Sequence, residues 1–460
     1  KPQERFLENL GRRFASMIEE AAGTSFFVQA PPAPLDRIPR RFHPLIHRAI
    51  REGIITRYGR PVVAGNWPRV PAFTFQTSFG TTASGYDLDE ETAAIKALAE
   101  LFERYSLGVY DVRHFIKGTW RELRGRGALN PLIFSSFSED QLKRPEHEHN
   151  RFDEHSEFMW TKCVSLQGEA HLIPAQLVYF RYQCQPNEPQ IRQGTTNGAA
   201  AGNFREMAVY NAICENIERD AFMIHWLNRI TPPRFDPYQL INYGSTKIKK
   251  LLALYQDHNV NVDIFDVTTD LDVPVALVLI RCASLGRPVT FVSMRADVDF
   301  SVAVESALTE GLYAGSWPDI SKEMSENVDK KYPNIETTRD RYAYWGKKEL
   351  LSEIKFLENG QAKNLPPSEG QSVIIKFNKL RRLLRQHAIN IYIIDVTNTL
   401  ARTAGLTVTM ALSPQLYPLY LNEHFKYLGI RRLYEAPVKM GVLRQPKHEH
   451  EMNPTPHPML

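Results

Sequence analysis

Two stretches of this chain carry the same acidic pattern. Ala93-Ala-Ile-Lys-Ala-Leu-Ala-Glu-Leu-Phe-Glu-Arg104 aligns without gaps on Ala208-Val-Tyr-Asn-Ala-Ile-Cys-Glu-Asn-Ile-Glu-Arg219, and a weaker third copy runs Ala303-Val-Glu-Ser-Ala-Leu-Thr-Glu-Gly-Leu-Tyr313. Lys96, Asn211 and Ser306 share one column, and Glu100, Glu215 and Glu310 share another. Glu103 and Glu218 share a third, where the last copy has Tyr313. A helix turns about 100° per residue, so Lys96, Glu100 and Glu103 fall within roughly 60° of one another. Ile95, Leu98 and Phe102 form an apolar stripe roughly 140° away. The second copy likewise sets Asn211, Glu215 and Glu218 opposite Val209, Ile213 and Ile217. One such helix is ordinarily a solvated face with Glu100 and Arg104 as an i,i+4 pair. Exposed faces, however, have no physical reason to repeat position by position. If pseudo-symmetry brings the two faces together, four carboxylates meet, and like charges that close require protons or cations. Hard divalent cations with oxygen ligands satisfy that need, and Mg2+ keeps positions for phosphate oxygens. The repeats therefore point to a metal–phosphate site, in which Arg104 and Arg219 either pair with the carboxylates or reach phosphate.

Rival chemistries lack their motifs. The chain has no GxxxxGK[ST], no GxGxxG after a strand, no HExxH and no GxSxG, so P-loop, dinucleotide, zincin and hydrolase readings fall away. His147-Glu-His149 and His448-Glu-His450 hold zinc-type donors, but their polar, loop-like surroundings read as solvated surface. Cys214 lies inside the second repeat with no evident partner base and reads as a packed thiol.

With 460 residues and 43% apolar composition, the chain can bury a large core. A net charge of +4 advertises neither a nucleic-acid binder nor a polybasic membrane protein. Four cysteines occur with no CxxC pair, as expected for reduced thiols in the cytoplasm. Apolar stretches such as Val273–Ile280 are far shorter than the ~20 residues of a membrane span. Lys1–Leu10 has no signal-peptide core, and Lys1 in place of Met makes a trimmed start the expectation. A helical stretch at Glu4–Ala22 and the break Ala30-Pro-Pro-Ala-Pro-Leu-Asp mark residues 1–65 as an N-terminal appendage and linker. From residue 66 to 444, β-branched runs alternate with helical ones. Strands are predicted at Gln176–Phe180, Val260–Val267, Val273–Ile280, Val289–Met294 and Asn390–Val396, with a basic helix near Lys376–His387. That alternation predicts an α/β (mixed α+β) fold. Asp140–Glu157 and Ser321–Asp340 read as solvated loops or surface helices, and residues 445–460 as a proline-rich tail.

At these residues the chain resembles the YcaO superfamily. The likeness runs through Glu91–Ser106, Thr195-Thr-Asn-Gly-Ala-Ala-Ala-Gly202, Glu215-Asn-Ile-Glu-Arg-Asp-Ala221 and Ala307-Leu-Thr-Glu310. It continues through Asp395-Val-Thr-Asn398, Gly405-Leu-Thr-Val and Asn453-Pro-Thr-Pro-His-Pro-Met-Leu460. It is collinear over residues 66–460. The resemblance implies an ATP site without a P-loop, in which Glu100, Glu103, Glu215 and Glu218 bind Mg2+. Lys96, Arg104, Thr196, Asn197, Asn211, Arg219 and Glu310 would surround the nucleotide. Two departures stand out: Lys96 replaces the Ser of many members, and Gly85-Tyr86 replaces a Gly-Lys. The third copy also has Ser306 and Tyr313 where many relatives place Arg and Gln. Pro454-x-Pro456-x-Pro458 resembles the tail of azoline-forming members, whose C-terminus reaches the active site. A proline-rich tail loses little entropy on docking.

The implied reaction is ATP-dependent cyclodehydration. A Cys, Ser or Thr of a ribosomally made precursor peptide attacks the preceding amide, whose oxygen is phosphorylated and lost, leaving a thiazoline or oxazoline. His457, Pro458 and Leu460 are the candidate catalytic residues of the tail, with His457 or the Leu460 carboxylate as base. The family also implies an E1-like leader-binding partner in an oligomeric complex, and an FMN-dependent azoline dehydrogenase that often accompanies it. Two alternatives are open: thioamide or macroamidine formation on the same site, and a non-catalytic nucleotide- or peptide-binding scaffold.

Overall fold

A computed structural model describes residues 38–63, 65–282, 289–316 and 335–459. The helix predicted over residues 4–22, the stretch 321–334 and Leu460 lie outside the described residues. In chain order come α1 (His43–Arg51), β1 (Ile55–Gly59), β2 (Ala72–Thr77), β3 (Thr82–Tyr86) and α2 (Glu90–Gly108). Next are β4 (Ile116–Thr119), β5 (Glu157–Ser165), β6 (Ala170–Pro174), β7 (Ala199–Gly202), α3 (Arg205–Asn228), β8 (Arg234–Phe235) and α4 (Thr246–Asp257). The core continues through β9 (Asn261–Asp266), β10 (Val275–Cys282), β11 (Val289–Ala296), α5 (Phe300–Gly311) and α6 (Thr338–Trp345). It closes with β12 (Ala362–Lys363), α7 (Val373–Gln386), β13 (Tyr392–Asp395), β14 (Thr407–Leu412) and α8 (Arg432–Lys439). The fold is mixed α+β.

The strands form three sheets, ordered β1-β2-β3, β11-β10-β9-β8-β12 and β4-β5-β13-β14-β7, with β6 beside β5. Each sheet ends on the strand that feeds one repeated helix: β3 into α2, β7 into α3, β11 into α5. The repeat is thus a strand–helix unit. A Cβ on Gly85 would lie 2.1 Å from the Ala93 carbonyl oxygen and 2.4 Å from Ala97 N, so glycine lets β3 rest directly on α2. Asp89 caps α2 by accepting from Thr92 N at 2.8 Å, and Asp299 caps α5 by accepting from Ser301 N at 3.0 Å, each satisfying an orphan helix donor. Asp87-Leu-Asp89 and Asp297-Val-Asp299 stand in register before their helices, so the repetition begins earlier than the helical pattern revealed.

The predicted core face of α3 is buried, with Val209, Ile213 and Ile217 in one apolar cluster with β10, β11 and β13. On α2, Leu98 and Phe102 are buried but Ile95 is 39% exposed. Close approach to β3 shifts the packed face onto Ala93, Ala94 and Ala97, and Ile95 falls outside it. Four of the five predicted strands are present within a few residues of their expected ends. Gln176–Phe180 is instead a turn after β6. There Gln176 buries its amide against the 188–191 loop, donating to the Pro189 carbonyl at 2.9 Å and accepting from Ile191 N at 2.7 Å. Within the expected appendage, residues from 43 onward pack: Ile46, Ala49 and Ile55 join the second apolar cluster and β1 pairs antiparallel with β2. Among the described residues no helix is long and apolar enough to cross a membrane.

Candidate active site

The matching glutamates of α2 and α3 are held alike. Glu100 Oε2 accepts from Ser84 N at 2.5 Å, and its other oxygen pairs with Arg104 at 2.6 Å. Arg104 also donates to the Thr82 carbonyl. Glu215 Oε2 accepts from Gly198 N at 3.0 Å, and its other oxygen pairs with Arg219 at 3.0 Å. Gly198 has φ +85°, and a Cβ there would lie 2.4 Å from the Ala411 carbonyl oxygen, so this donor position demands glycine. Each glutamate is thus fixed by the chain preceding its helix and by an arginine one turn on. Glu218 reaches the third unit, accepting from Ala296 N at the end of β11 at 3.2 Å while pairing with Arg219 at 2.9 Å. Beside Ala296, Arg295 donates to Asn211 Oδ1 at 3.3 Å.

Their charges act on one another across all three helices. Burial pushes the Glu103 carboxyl well above its usual range, and Glu215 and Glu100 push it further. Burial likewise raises Glu218 to about 8, with Glu310 and Glu215 adding to it against Arg219 and Arg295. Glu310 is raised by burial too, opposed by Arg219 and Arg295. These groups are enclosed but not sealed. Glu310 is exposed and Glu103, Glu215 and Arg219 remain partly accessible, so water reaches this cluster. Five carboxyl groups (Glu100, Glu103, Glu215, Glu218, Glu310) are gathered with three arginines (Arg104, Arg219, Arg295), so acidic groups outnumber cations.

The remaining residues fall at different distances from this cluster. Lys96 pairs with the buried Asp87 at 2.7 Å, which Lys247 also holds at 2.9 Å. Thr196 is partly accessible, and Asn197 Nδ2 donates to the Leu419 carbonyl at 3.1 Å, pinning the loop that carries Gly198. The tail docks along α3. Met459 Sδ lies 3.2 Å from Arg219 Nη1, and Pro458 is buried. His457 is fully buried, with Nε2 2.7 Å from the Tyr420 carbonyl oxygen, and burial together with the Arg341 charge holds its pKa well below the ordinary value. The imidazole is therefore neutral, donates from Nε2 and anchors the tail. Cys214 is a packed thiol, pushed up to about 12 by burial. His448 and His450 are exposed, but His147 is not the surface residue expected: it packs on Phe137 and His424 and bonds Asn150 at 3.1 Å. Phe137, shortly upstream, and His424, distant in sequence, enclose it. Sequence reading also missed Arg295, whose signal was a lone cation ending the apolar run of β11.

The donor set fits Mg2+, because all its ligands are hard oxygens and because burial and mutual repulsion, which raise Glu103, Glu218 and Glu310, are what a cation among them would relieve. Among the described residues, no three His, Cys, Asp or Glu side chains already stand in metal-holding geometry. Arginines are threaded between the carboxylates instead, with Arg219 bridging Glu215 and Glu218.

The family profile of the YcaO cyclodehydratases, described as ATP- and Mg2+-binding, matches residues 84–417. The chain belongs to the YcaO family. Its structure is similar to a heterocyclase in complex with substrate and cofactor, with a TM-score of 0.71 and 22% identity over 90% of this chain and 57% of that one. It is also similar to YcaO from Methanopyrus kandleri bound with AMPPCP and Mg2+, with a TM-score of 0.58 and 14% identity over 84% of this chain and 92% of that one. In sequence, an uncharacterized protein of Methanothermobacter thermautotrophicus is 28% identical over 160 residues, 34% of this chain and 40% of that protein. The chain thus spans two fifths of that relative and just over half of the heterocyclase. Both structural likenesses share the YcaO fold with this chain.

Proposed function

We propose that this YcaO protein uses ATP and Mg2+ to activate backbone amides of a ribosomally made peptide, closing Cys, Ser or Thr residues into azolines. The observation that carries this reading is the convergence of glutamates from three strand–helix units in one partly water-accessible cluster, interleaved with arginines. In this reading Glu100, Glu103, Glu215 and Glu218 hold Mg2+, with Asn211 alongside, while Glu310 adds negative charge. Bound Mg2+ supplies charge neutralisation and alignment of phosphate oxygens. Arg104, Arg219 and Arg295 stand among these carboxylates, so phosphate would give them bidentate partners as the glutamates turn to the cation. Lys96, held by Asp87, lends positive charge at the rim, and the loop of Thr196 and Asn197 borders the nucleotide. Backbone activation is needed because amide oxygen is a poor leaving group and phosphate a good one.

The docked tail supports the azoline-forming branch over thioamidation. His457 fixes the tail against Tyr420, and Pro458 and Met459 carry it to Arg219. The peptide substrate, the leader-binding partner and a companion dehydrogenase belong to the same proposal; the similarity to a heterocyclase in complex with substrate supports only its substrate part. Incubation with ATP, Mg2+, partner and candidate precursor peptide tests it by mass spectrometry. A loss of about 18 Da per site is expected; a gain of about 16 Da would mean thioamidation, and no change with ATP unspent would mean a scaffold.

A further inference from the structure

Three consecutive carbonyls of the tail are each claimed by a different side-chain donor. Trp226 Nε1 donates to the Thr455 carbonyl at 2.9 Å, Trp345 Nε1 to the Pro456 carbonyl at 3.2 Å, and Arg341 Nη1 to the His457 carbonyl at 2.8 Å. Upstream, Asn453 N donates to the Leu227 carbonyl at 2.7 Å and its side-chain amide to the Trp226 carbonyl at 3.1 Å. Trp226 comes from α3, whereas Trp345 and Arg341 both come from α6. The two helices form the walls of a clasp that grips the tail through its main chain. Proline at 454, 456 and 458 leaves those positions without N–H donors, so only carbonyls remain to be read there.

Arg341 is the keystone of that clasp. It is fully buried, and besides the His457 carbonyl its guanidinium donates to the Leu421 carbonyl at 2.6 Å and pairs with Glu423 at 2.8 Å. It therefore ties the tail to the 421–423 loop, next to Tyr420, whose carbonyl holds His457. Two residues beyond, Met459 Sδ touches Arg219, the cation that bridges Glu215 and Glu218. We propose that Arg341 is a positioning residue: by locking the His457 carbonyl it fixes Met459 on Arg219, and so sets the bridging arginine and excludes water from one side of the carboxylate cluster. Arg341 does not itself touch the cluster. It acts through the tail, in addition to the metal–phosphate reading above.

Its independence from that reading makes the first measurement simple. Hydrogen exchange across residues 452–459 is compared in the unsubstituted chain, Arg341→Gln and Arg341→Lys. Glutamine should speed exchange of this segment at least about tenfold while α3 and the sheets stay protected, and lysine, which keeps the charge but loses the planar fork that spans both carbonyls, should fall between. Unchanged exchange in Arg341→Gln would overturn the clasp, whether or not the chain uses ATP. The second measurement is the affinity for Mg2+ with a non-hydrolysable ATP analogue, in a double-mutant cycle of Arg341→Gln with deletion of residues 454–460. Each change alone should weaken binding about tenfold, and the two together no more than the deletion alone. Additive losses would show that Arg341 acts by some route other than the tail. If no form binds nucleotide, the proposed function fails while the exchange result still decides the clasp.

Discussion

Glu215 illustrates what one side chain contributes. One oxygen is committed to Gly198 N and the other to Arg219, and the neighbouring Glu218 divides itself between Ala296 N and the same arginine. Removing the charge while keeping the shape separates charge from packing. Glu215→Gln keeps an oxygen for Gly198 N, so circular dichroism and the melting temperature should change little. Mg2+-dependent turnover should nevertheless fall by about 100-fold or more, since the lost interaction is electrostatic stabilisation of phosphoryl transfer. Unchanged turnover would remove this residue from the metal set.

Among the elements, the strand–helix unit sets the geometry, and its tightest point is Gly85 against α2. Gly85→Ala would drive a Cβ into the Ala93 carbonyl. The expected cost is about 1–3 kcal/mol by denaturant titration, because overpacking forces the backbone apart. The same shift would carry Glu100 away from Ser84 N, so turnover should fall more than stability predicts. A second joint fastens α8 to α3. Arg432 donates to both oxygens of the fully buried Asp220, at 3.1 and 2.8 Å, and to Asp270 at 2.8 Å. Arg432→Met would strand those carboxylates out of water, and about 3–5 kcal/mol of stability should be lost. A variant of undiminished midpoint would mean that the network relaxes freely. Asp220 follows Arg219 directly in sequence, so this network also braces the helix turn that presents the bridging cation.

For the whole molecule, pH couples the site to stability in two windows of opposite sign. Glu103, Glu218 and Glu310 have folded pKa values above the ordinary carboxylate value, Glu218 near 8. The folded state then binds more protons than the unfolded one, so stability falls as pH rises toward 8. His225, pushed down to about 4 by burial, and His457, pushed well below its ordinary value, act the other way. The unfolded chain protonates them near 6.5, so stability falls as pH drops below that value, by up to about 1.4 kcal/mol per unit for each histidine. Urea titrations should show declining stability from pH 6.5 to 8 without Mg2+ and no such decline in excess Mg2+. With Mg2+ present, the loss below pH 6.5 should remain. A Mg2+-independent profile above pH 6.5 would contradict cation binding by the glutamates.

Much of this was legible in the sequence, and the rest had a physical reason to be hidden. A repeat is a linear property, so the pairing of Glu100 with Glu215 and the core face Val209, Ile213 and Ile217 could be read from spacing alone. So could β9, β10 and β11, whose β-branched runs are almost continuously buried, and α7, which buries Lys376, Leu380 and Leu384 at helical spacing. Ile95 was misplaced because the depth at which Gly85 lets β3 approach α2 decides which face of that helix is packed. Gln176 and His147 depend on partners 13–15 residues away or far across the chain, and no local pattern carries that information. Arg295 enters the site only because β11 ends where α3 passes. The sequence determined which charges exist and that they repeat. Tertiary structure alone decided that three units turn those charges toward one another, because only packing can hold like charges together against their repulsion.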